Sequence, residues 1–166
     1  MTVSILVVMG VSGSGKTTVG ALLAQSLGWR YADADSFHSP ENVAKMAAGQ
    51  PLSDQDRVPW LQAISAWIGE RLLKQQPAVV SCSALKRSYR EQLVRPELRF
   101  VYLRGTHAEI ATRLAAREGH FFKPQLLDSQ FAVLEEPAAD EHVITVSIAE
   151  TPDEIVAAIN AQIGSE

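Results

Sequence analysis

The chain predicts an α/β fold in which a five-stranded parallel sheet carries helices on both faces. Three observations lead there. Short apolar runs alternate with segments of helical periodicity along the whole length. The first apolar run passes directly into a glycine-rich turn and then a helix, the layout of a strand–turn–helix unit. Composition agrees: 166 residues, 46% apolar and 20% charged, bury a core without staples and exclude a disordered, collagenous or coiled-coil chain. This is the size of one domain, spanning residues 1–166, in which roughly 70% of the unfolded surface is buried on folding.

Residues 3–9 are apolar, β-branched and bounded by glycine, as expected of a strand buried on both faces. Residues 17–27 place Val19, Leu22, Leu23 and Leu27 at helical spacing, and Gly28 ends that helix. Residues 29–33 read as a second strand. Ser39-Pro40-Glu41 starts a helix, with serine as cap and proline at the first helical position. Gly49-Gln50-Pro51 closes it. A long helix runs from near Arg57 to Gln75, with Pro59 tolerated only in its first turn and Leu61, Ile64, Ile68 and Leu72 as its apolar stripe. Residues 78–82 form a third strand, 85–94 a helix, 99–103 a fourth strand, 107–117 a helix and 142–147 a fifth strand. Thr151-Pro152-Asp153-Glu154 is a capping box, and Ile155, Val156, Ile159 and Ile163 line the last helix. Strand-to-strand alternation of this kind demands crossover connections, hence a parallel sheet.

Cys82 is the single cysteine, so no internal disulfide forms and a reducing, cytoplasmic location is expected. The apolar start is far short of the roughly 20 residues a membrane span needs, and no basic residue precedes it as in a signal peptide. A net charge of −4 argues against a nucleic-acid partner. That total hides an uneven layout. Residues 86–123 carry nine Lys/Arg against four Asp/Glu, whereas residues 124–166 carry none against nine. The basic middle is expected to supply cations to an anion site, and the acidic end to face away from it.

Gly10-Val11-Ser12-Gly13-Ser14-Gly15-Lys16-Thr17 matches G-x-x-x-x-G-K-[ST] completely, between a strand and a helix. The glycines let backbone N–H groups turn inward around phosphate oxygens, and the helix N-terminus adds partial positive charge. Lys16 is placed to reach the β- and γ-phosphates, and the Thr17 hydroxyl to serve Mg²⁺. The motif reads as a nucleoside-triphosphate site, with Thr18 continuing the stretch.

Asp33-Ala34-Asp35 sits where the second strand ends, the ligand-binding edge of a parallel sheet. On an extended chain both carboxylates point the same way and repel unless a cation or hydroxyl lies between them. One is expected to support Mg²⁺ and the other to take a proton from an attacking hydroxyl. A solvated capping turn is the alternative. No guanine-reading N-K-x-D is present, and the third strand ends in Ser81-Cys82-Ser83 without the usual metal-supporting aspartate. The metal duty then falls on Asp33 or Asp35.

Cations must converge on a transferring phosphoryl group. Arg113 and Arg117 share a helix face and lead into Gly119-His120-Phe121-Phe122-Lys123-Pro124, the pattern of a closing lid over residues 117–137. Lys86, Arg87 and Arg90 follow the third strand, where each meets either an anionic substrate or solvent. Arg57 at a helix start opposes the helix dipole, a cost that an anion-binding role explains. His38 follows the aspartate pair and is a further site candidate. Cys82 reads as a buried strand residue, and Trp60 and Trp67 as core.

Taken together, the chain resembles the gluconate kinases of the short, phosphate-loop type. Beyond the loop, the likeness rests on Asp33-Ala34-Asp35-Ser36-Phe37-His38, Gly49-Gln50-Pro51-Leu52, Asp54-Gln55-Asp56-Arg57-Val58-Pro59-Trp60-Leu61 and Ser81-Cys82-Ser83-Ala84-Leu85-Lys86-Arg87-Ser88-Tyr89-Arg90. It continues through Gly119-His120-Phe121-Phe122, Leu126-Leu127-Asp128-Ser129-Gln130-Phe131 and Leu134-Glu135-Glu136-Pro137. The resemblance implies the nucleoside-monophosphate-kinase-like fold of the P-loop NTPases, ATP:D-gluconate 6-phosphotransferase activity with Mg²⁺, a mobile lid and often a homodimer. It also implies the division of labour. Gly10 to Thr18 and Arg113 hold ATP, while Thr17 and Asp33 serve the metal. Lys16, Asp35 and Arg117 are catalytic, and Asp35, His38, Arg57, Ser83, Lys86, Arg90 and His120 bind gluconate. Ala34 replaces a common glycine, a change expected to matter little on extended backbone. Two rivals are a same-fold kinase for another small acceptor such as shikimate, and a non-enzymatic ATP-binding regulatory module.

Overall fold

The computed structural model describes residues 2–116 and 124–164. Five parallel strands run in the order β2-β3-β1-β4-β5. They are β1 (Ile5–Met9), β2 (Arg30–Asp33), β3 (Ala78–Ser81), β4 (Leu98–Arg104) and β5 (Ile144–Ser147). Every residue of β1 is fully buried, as a central strand covered on both faces requires.

Alternation along the strands divides the core in two. Leu6 and Val8 join Val79, Val101 and Leu103 beneath α1 (Lys16–Leu27), α5 (His107–Ala115), α6 (Pro124–Val133) and α7 (Pro152–Gly164). Ile5, Val7 and Met9 join Val80, Phe100 and Tyr102 beneath α3 (Asp54–Leu73) and α4 (Arg87–Glu91). Each buried Leu, Ile or Val contributes roughly 1.5–3 kcal/mol over an exposed one. The last helix begins as its sequence requires, Thr151 Oγ1 accepting from the Glu154 N–H and donating to its carboxylate.

Several boundaries differ from the sequence expectation. The long helix begins at Asp54, capped by Ser53 and its reciprocal bond with Asp56, so Arg57 lies in the second turn. Asp54 and Asp56 occupy the first turn and satisfy the dipole, so Arg57 carries no dipole penalty to explain. Pro59 lies inside the helix rather than in its first turn. The residues after β3 coil into five helical residues only, because Leu85 is drawn into the core and Lys86 is extended as cap. A 3₁₀ turn, Ala139–Glu141, precedes β5 and delays it to Ile144.

No helix among the described residues is long and apolar enough to cross a membrane.

Candidate active site

Register brings the motifs to one edge. Asp33 at the end of β2 pairs with Ser81 of β3, and Ser81 pairs with Val8 of β1. The aspartate turn, the Ser81-Cys82-Ser83 stretch and the glycine-rich loop therefore leave neighbouring strands at the same end, where parallel sheets bind ligands. Ser81 Oγ donates to the Lys16 carbonyl (3.0 Å) and meets the Tyr31 hydroxyl at 2.8 Å, tying β3 to the first turn of α1. The Gly10 N–H donates to the Ser83 carbonyl (3.3 Å), so Ser83 flanks the loop's entrance.

The loop needs its glycines. Gly13 has φ 83°, and a Cβ there would lie 2.8 Å from the Leu114 side chain. Gly15 has φ 95° and caps α1 with its own left-handed turn. The Lys16 ammonium donates to the Val11 carbonyl at 3.0 Å, folding over the loop. Arg113, on α5, donates to the Ile148 carbonyl and borders Gly15. The site thus has left-handed glycines, a helix N-terminus and a lysine over the loop, which fits a triphosphate.

Asp33 does two jobs. Its Oδ1 accepts from the Asp35 N–H (2.9 Å), capping a 3₁₀ turn over Ala34–Phe37, and its Oδ2 lies 3.5 Å from the Thr17 hydroxyl. The pair is therefore not extended: Asp35 leaves the strand direction and stands exposed at the turn. Ala34 between them is fully buried, and its carbonyl accepts from the Trp60 indole N–H (2.7 Å). Asp33 thus caps a turn with one carboxylate oxygen and faces the Thr17 hydroxyl with the other. Among the described residues no three His, Cys, Asp or Glu side chains gather to hold a metal alone. Mg²⁺ characteristically takes one or two protein groups with substrate phosphates, and Thr17 with Asp33 fits that pattern.

His38 follows the turn and stacks on Trp60, with ring centroids 4.5 Å apart and planes 11° apart. Burial holds its pKa below the ordinary 6.5, with the Asp35 charge opposing and Arg57 adding to the fall. Arg57 donates to the Leu52 carbonyl (3.0 Å) and the Tyr89 hydroxyl (3.1 Å). Lys86 reaches both Asp54 carboxylate oxygens at 2.9 and 3.0 Å, and the Tyr89 hydroxyl donates to the same carboxylate. These contacts hold Asp54 below the ordinary carboxylate range, Tyr89 first and Lys86 second. Arg57, Lys86, Tyr89 and Asp54 form one polar cluster bridging α3 and α4.

Arg90 does not join it. Its side chain is 1% exposed and faces the acidic C-terminal part of the chain. Its guanidinium donates to Glu141 through Nε and Nη2 (2.7 and 3.1 Å) and to the carbonyls of Ala84, Leu85 and Glu135. No donor is left over for gluconate, so the expectation that Arg90 binds substrate is corrected: it is a buried clasp. Arg87 with Asp140 and Arg104 with Glu136 follow the same logic at the surface. Three cations of the basic middle, Arg87, Arg90 and Arg104, are thus paired with the acidic end rather than reserved for a ligand. Arg117 and His120 lie outside the described residues, as does the part of the expected lid over 117–123.

Four residues were not singled out as site groups by sequence reasoning. Asp54 and Tyr89 had no visible partner until α3 and α4 met. Trp60 read as core, and it is 4% exposed, yet its N–H also holds the aspartate turn. Gln130 was visible only as part of a family motif; it grips Ser12, its Oε1 accepting from the N–H (2.6 Å) and its Nε2 donating to Oγ (2.8 Å). Cys82 is buried as expected, and burial pushes its thiol up to about 12.

The shikimate kinase family profile matches residues 12–163. The gluconokinase of Gluconobacter oxydans (strain 621H) is 52% identical, over 91% of this chain and 86% of that one. The thermoresistant gluconokinase of Escherichia coli (strain K12) is 45% identical, over 92% and 89% of the two chains. A crystal structure of a gluconokinase from Sinorhizobium meliloti 1021 superposes with a TM-score of 0.86 at 44% identity, covering 98% of this chain and 92% of that one. Sequence, fold and site converge: the chain belongs to the gluconokinase family, within the wider group of shikimate-kinase-like enzymes.

Proposed function

We propose that the chain transfers the γ-phosphoryl group of ATP to the 6-hydroxyl of D-gluconate, giving 6-phospho-D-gluconate and ADP. The observation that carries this reading is the facing of two motifs: Thr17 and Asp33 approach to 3.5 Å, and exposed Asp35 stands two residues further along, within the turn Asp33 caps. An acceptor bound at Asp35 therefore lies beside the nucleotide. The identity of the acceptor rests on relatives named gluconokinase at 45–52% identity over most of the chain.

In this reading Gly10, Val11, Ser12, Gly13, Ser14, Gly15, Lys16, Thr17 and Thr18 hold the triphosphate, with Arg113 on the nucleotide side. Thr17, with Asp33 beside it, would hold Mg²⁺, which when bound would offset charge on the phosphate oxygens. Asp35 orients the 6-hydroxyl and takes its proton as the new O–P bond forms and the bond to the ADP oxygen breaks. Lys16 neutralises charge on the transferred group. Arg57, Lys86, Ser83 and His38 line the acceptor side, where cations suit a sugar-acid carboxylate. Arg117 and His120 are the proposed lid groups, the lid covering 117–137 of a single kinase domain. We place the enzyme in the cytoplasm, where ATP is made, and a homodimer is the assembly the resemblance implies, readable by sedimentation velocity.

Asp35→Asn tests the assignment of the base. It keeps the turn and removes the proton acceptor, so kcat falls by roughly 10²–10⁴ while ATP affinity stays near that of the parent. Near-normal turnover removes Asp35 as the base. The shikimate-directed rival is separated by a coupled assay with each acceptor in turn, and the binding-module rival by detection of a phosphorylated product.

A further inference from the structure

We infer that Gln130 is a positioning residue for the γ-phosphate end of the nucleotide, acting through Ser12. The inference rests on the reading of the glycine-rich loop as an ATP site.

The carboxamide grips one loop residue at two points, accepting from the Ser12 N–H at 2.6 Å and donating to its hydroxyl at 2.8 Å. The contact joins parts of the chain 118 residues apart. Gln130 is held firmly from behind. Leu127, one turn earlier on the same helix face, is 1% exposed within the core. Asp128 lies 2.6 Å from the His107 ring nitrogen, and the same ring packs against Phe131. The helix is thereby fixed to α5, and Gln130 fastens it to the loop.

The place of contact gives the role. The Lys16 ammonium bonds the Val11 carbonyl, and the Ser14 N–H donates to that same carbonyl (3.2 Å). Lys16 and Gln130 therefore meet the loop at adjacent residues, Val11 and Ser12. A lysine in this motif serves the β- and γ-phosphates, so Ser12 belongs to the γ end of the cradle rather than the α end. The side-chain type also fits. A neutral amide is donor and acceptor at once and satisfies both Ser12 groups. A carboxylate would also accept from the N–H and from the hydroxyl turned to donate, but it would bring negative charge to a polyanion site.

The test is Gln130→Glu in the full chain, with ATP and ADP affinities measured by titration calorimetry without acceptor. The expected result is ATP binding weakened roughly tenfold or more, from like-charge repulsion at short range. ADP, which lacks the γ-phosphate, is weakened by less than about threefold. Equal weakening of both, or of neither, overturns the inference. Gln130→Met keeps the length, drops both bonds and covers the case in which the glutamate variant does not fold. Its kcat falls roughly tenfold with the gluconate KM within about twofold of the parent. An unchanged kcat, or a rise in KM alone, overturns the positioning role. The nucleotide titrations need no gluconate, so a parent enzyme that failed to phosphorylate gluconate would sink the proposed acceptor and leave the Gln130 result readable.

Discussion

Replacing Arg90 by Met removes a charge that is 1% exposed and leaves its partner, the Glu141 carboxylate, at 10% exposure facing a thioether. Breaking a buried pair by deleting one member costs about 3–5 kcal/mol, because the remaining charge is uncompensated. The carbonyls of Ala84, Leu85 and Glu135 lose donors as well, which favours the upper part of that range. A domain of ordinary stability holds about 5–15 kcal/mol, so roughly a fifth or more is lost. At about 2–4 °C per kcal/mol for a chain of this size, the melting temperature falls by about 6–20 °C. Urea unfolding at neutral pH, followed by circular dichroism, reads the free energy directly. The double variant Arg90→Met, Glu141→Met removes both charges and recovers part of the loss. A single variant that melts within about 2 °C of the parent but shows a raised gluconate KM would refute the reasoning and return Arg90 to the substrate.

Two further outcomes follow from the aspartate turn. Trp60→Phe removes the donor to the buried Ala34 carbonyl, costing about 1–3 kcal/mol in urea unfolding, and lowers kcat more than it alters ATP affinity because Asp35 loses its support. Unchanged stability and turnover would contradict the role given to Trp60. His38 has a folded pKa below its unfolded 6.5. The unfolded state therefore binds more protons in the interval beneath 6.5, and this contribution to stability is present above it and lost as pH falls through it. His38→Asn flattens the fall in stability between pH 7.5 and 5.5 relative to the parent; identical slopes would contradict the burial.

The parts of the fold written in local pattern were legible. The buried run of β1, the glycine loop, the proline-led starts of α2 (Pro40–Ala47) and α7, and the strand-helix alternation all follow from neighbours in sequence. The parts set by distant partners were not. Arg90 and Lys86 look alike in sequence, yet Glu141 draws one into the interior and Asp54 holds the other at the surface. Asp33-Ala34-Asp35 reads as strand from its length, whereas the Asp33 side chain turns the backbone and Trp60 of α3 pins it. The Ser53–Asp56 capping box was readable and moves the start of α3 by three residues from Arg57 to Asp54. Gln130 carries no local signal, because its meaning lies in a loop 118 residues earlier.

The central claim is acceptor-dependent phosphoryl transfer at the Lys16 loop. Its most direct test is ATP turnover by the purified chain with and without D-gluconate, with the product identified by mass spectrometry and phosphorus NMR. The account predicts turnover that requires gluconate, yields 6-phospho-D-gluconate one-for-one with ADP, and is abolished by Lys16→Ala. ATP hydrolysis indifferent to gluconate, or transfer that survives Lys16→Ala, would contradict it.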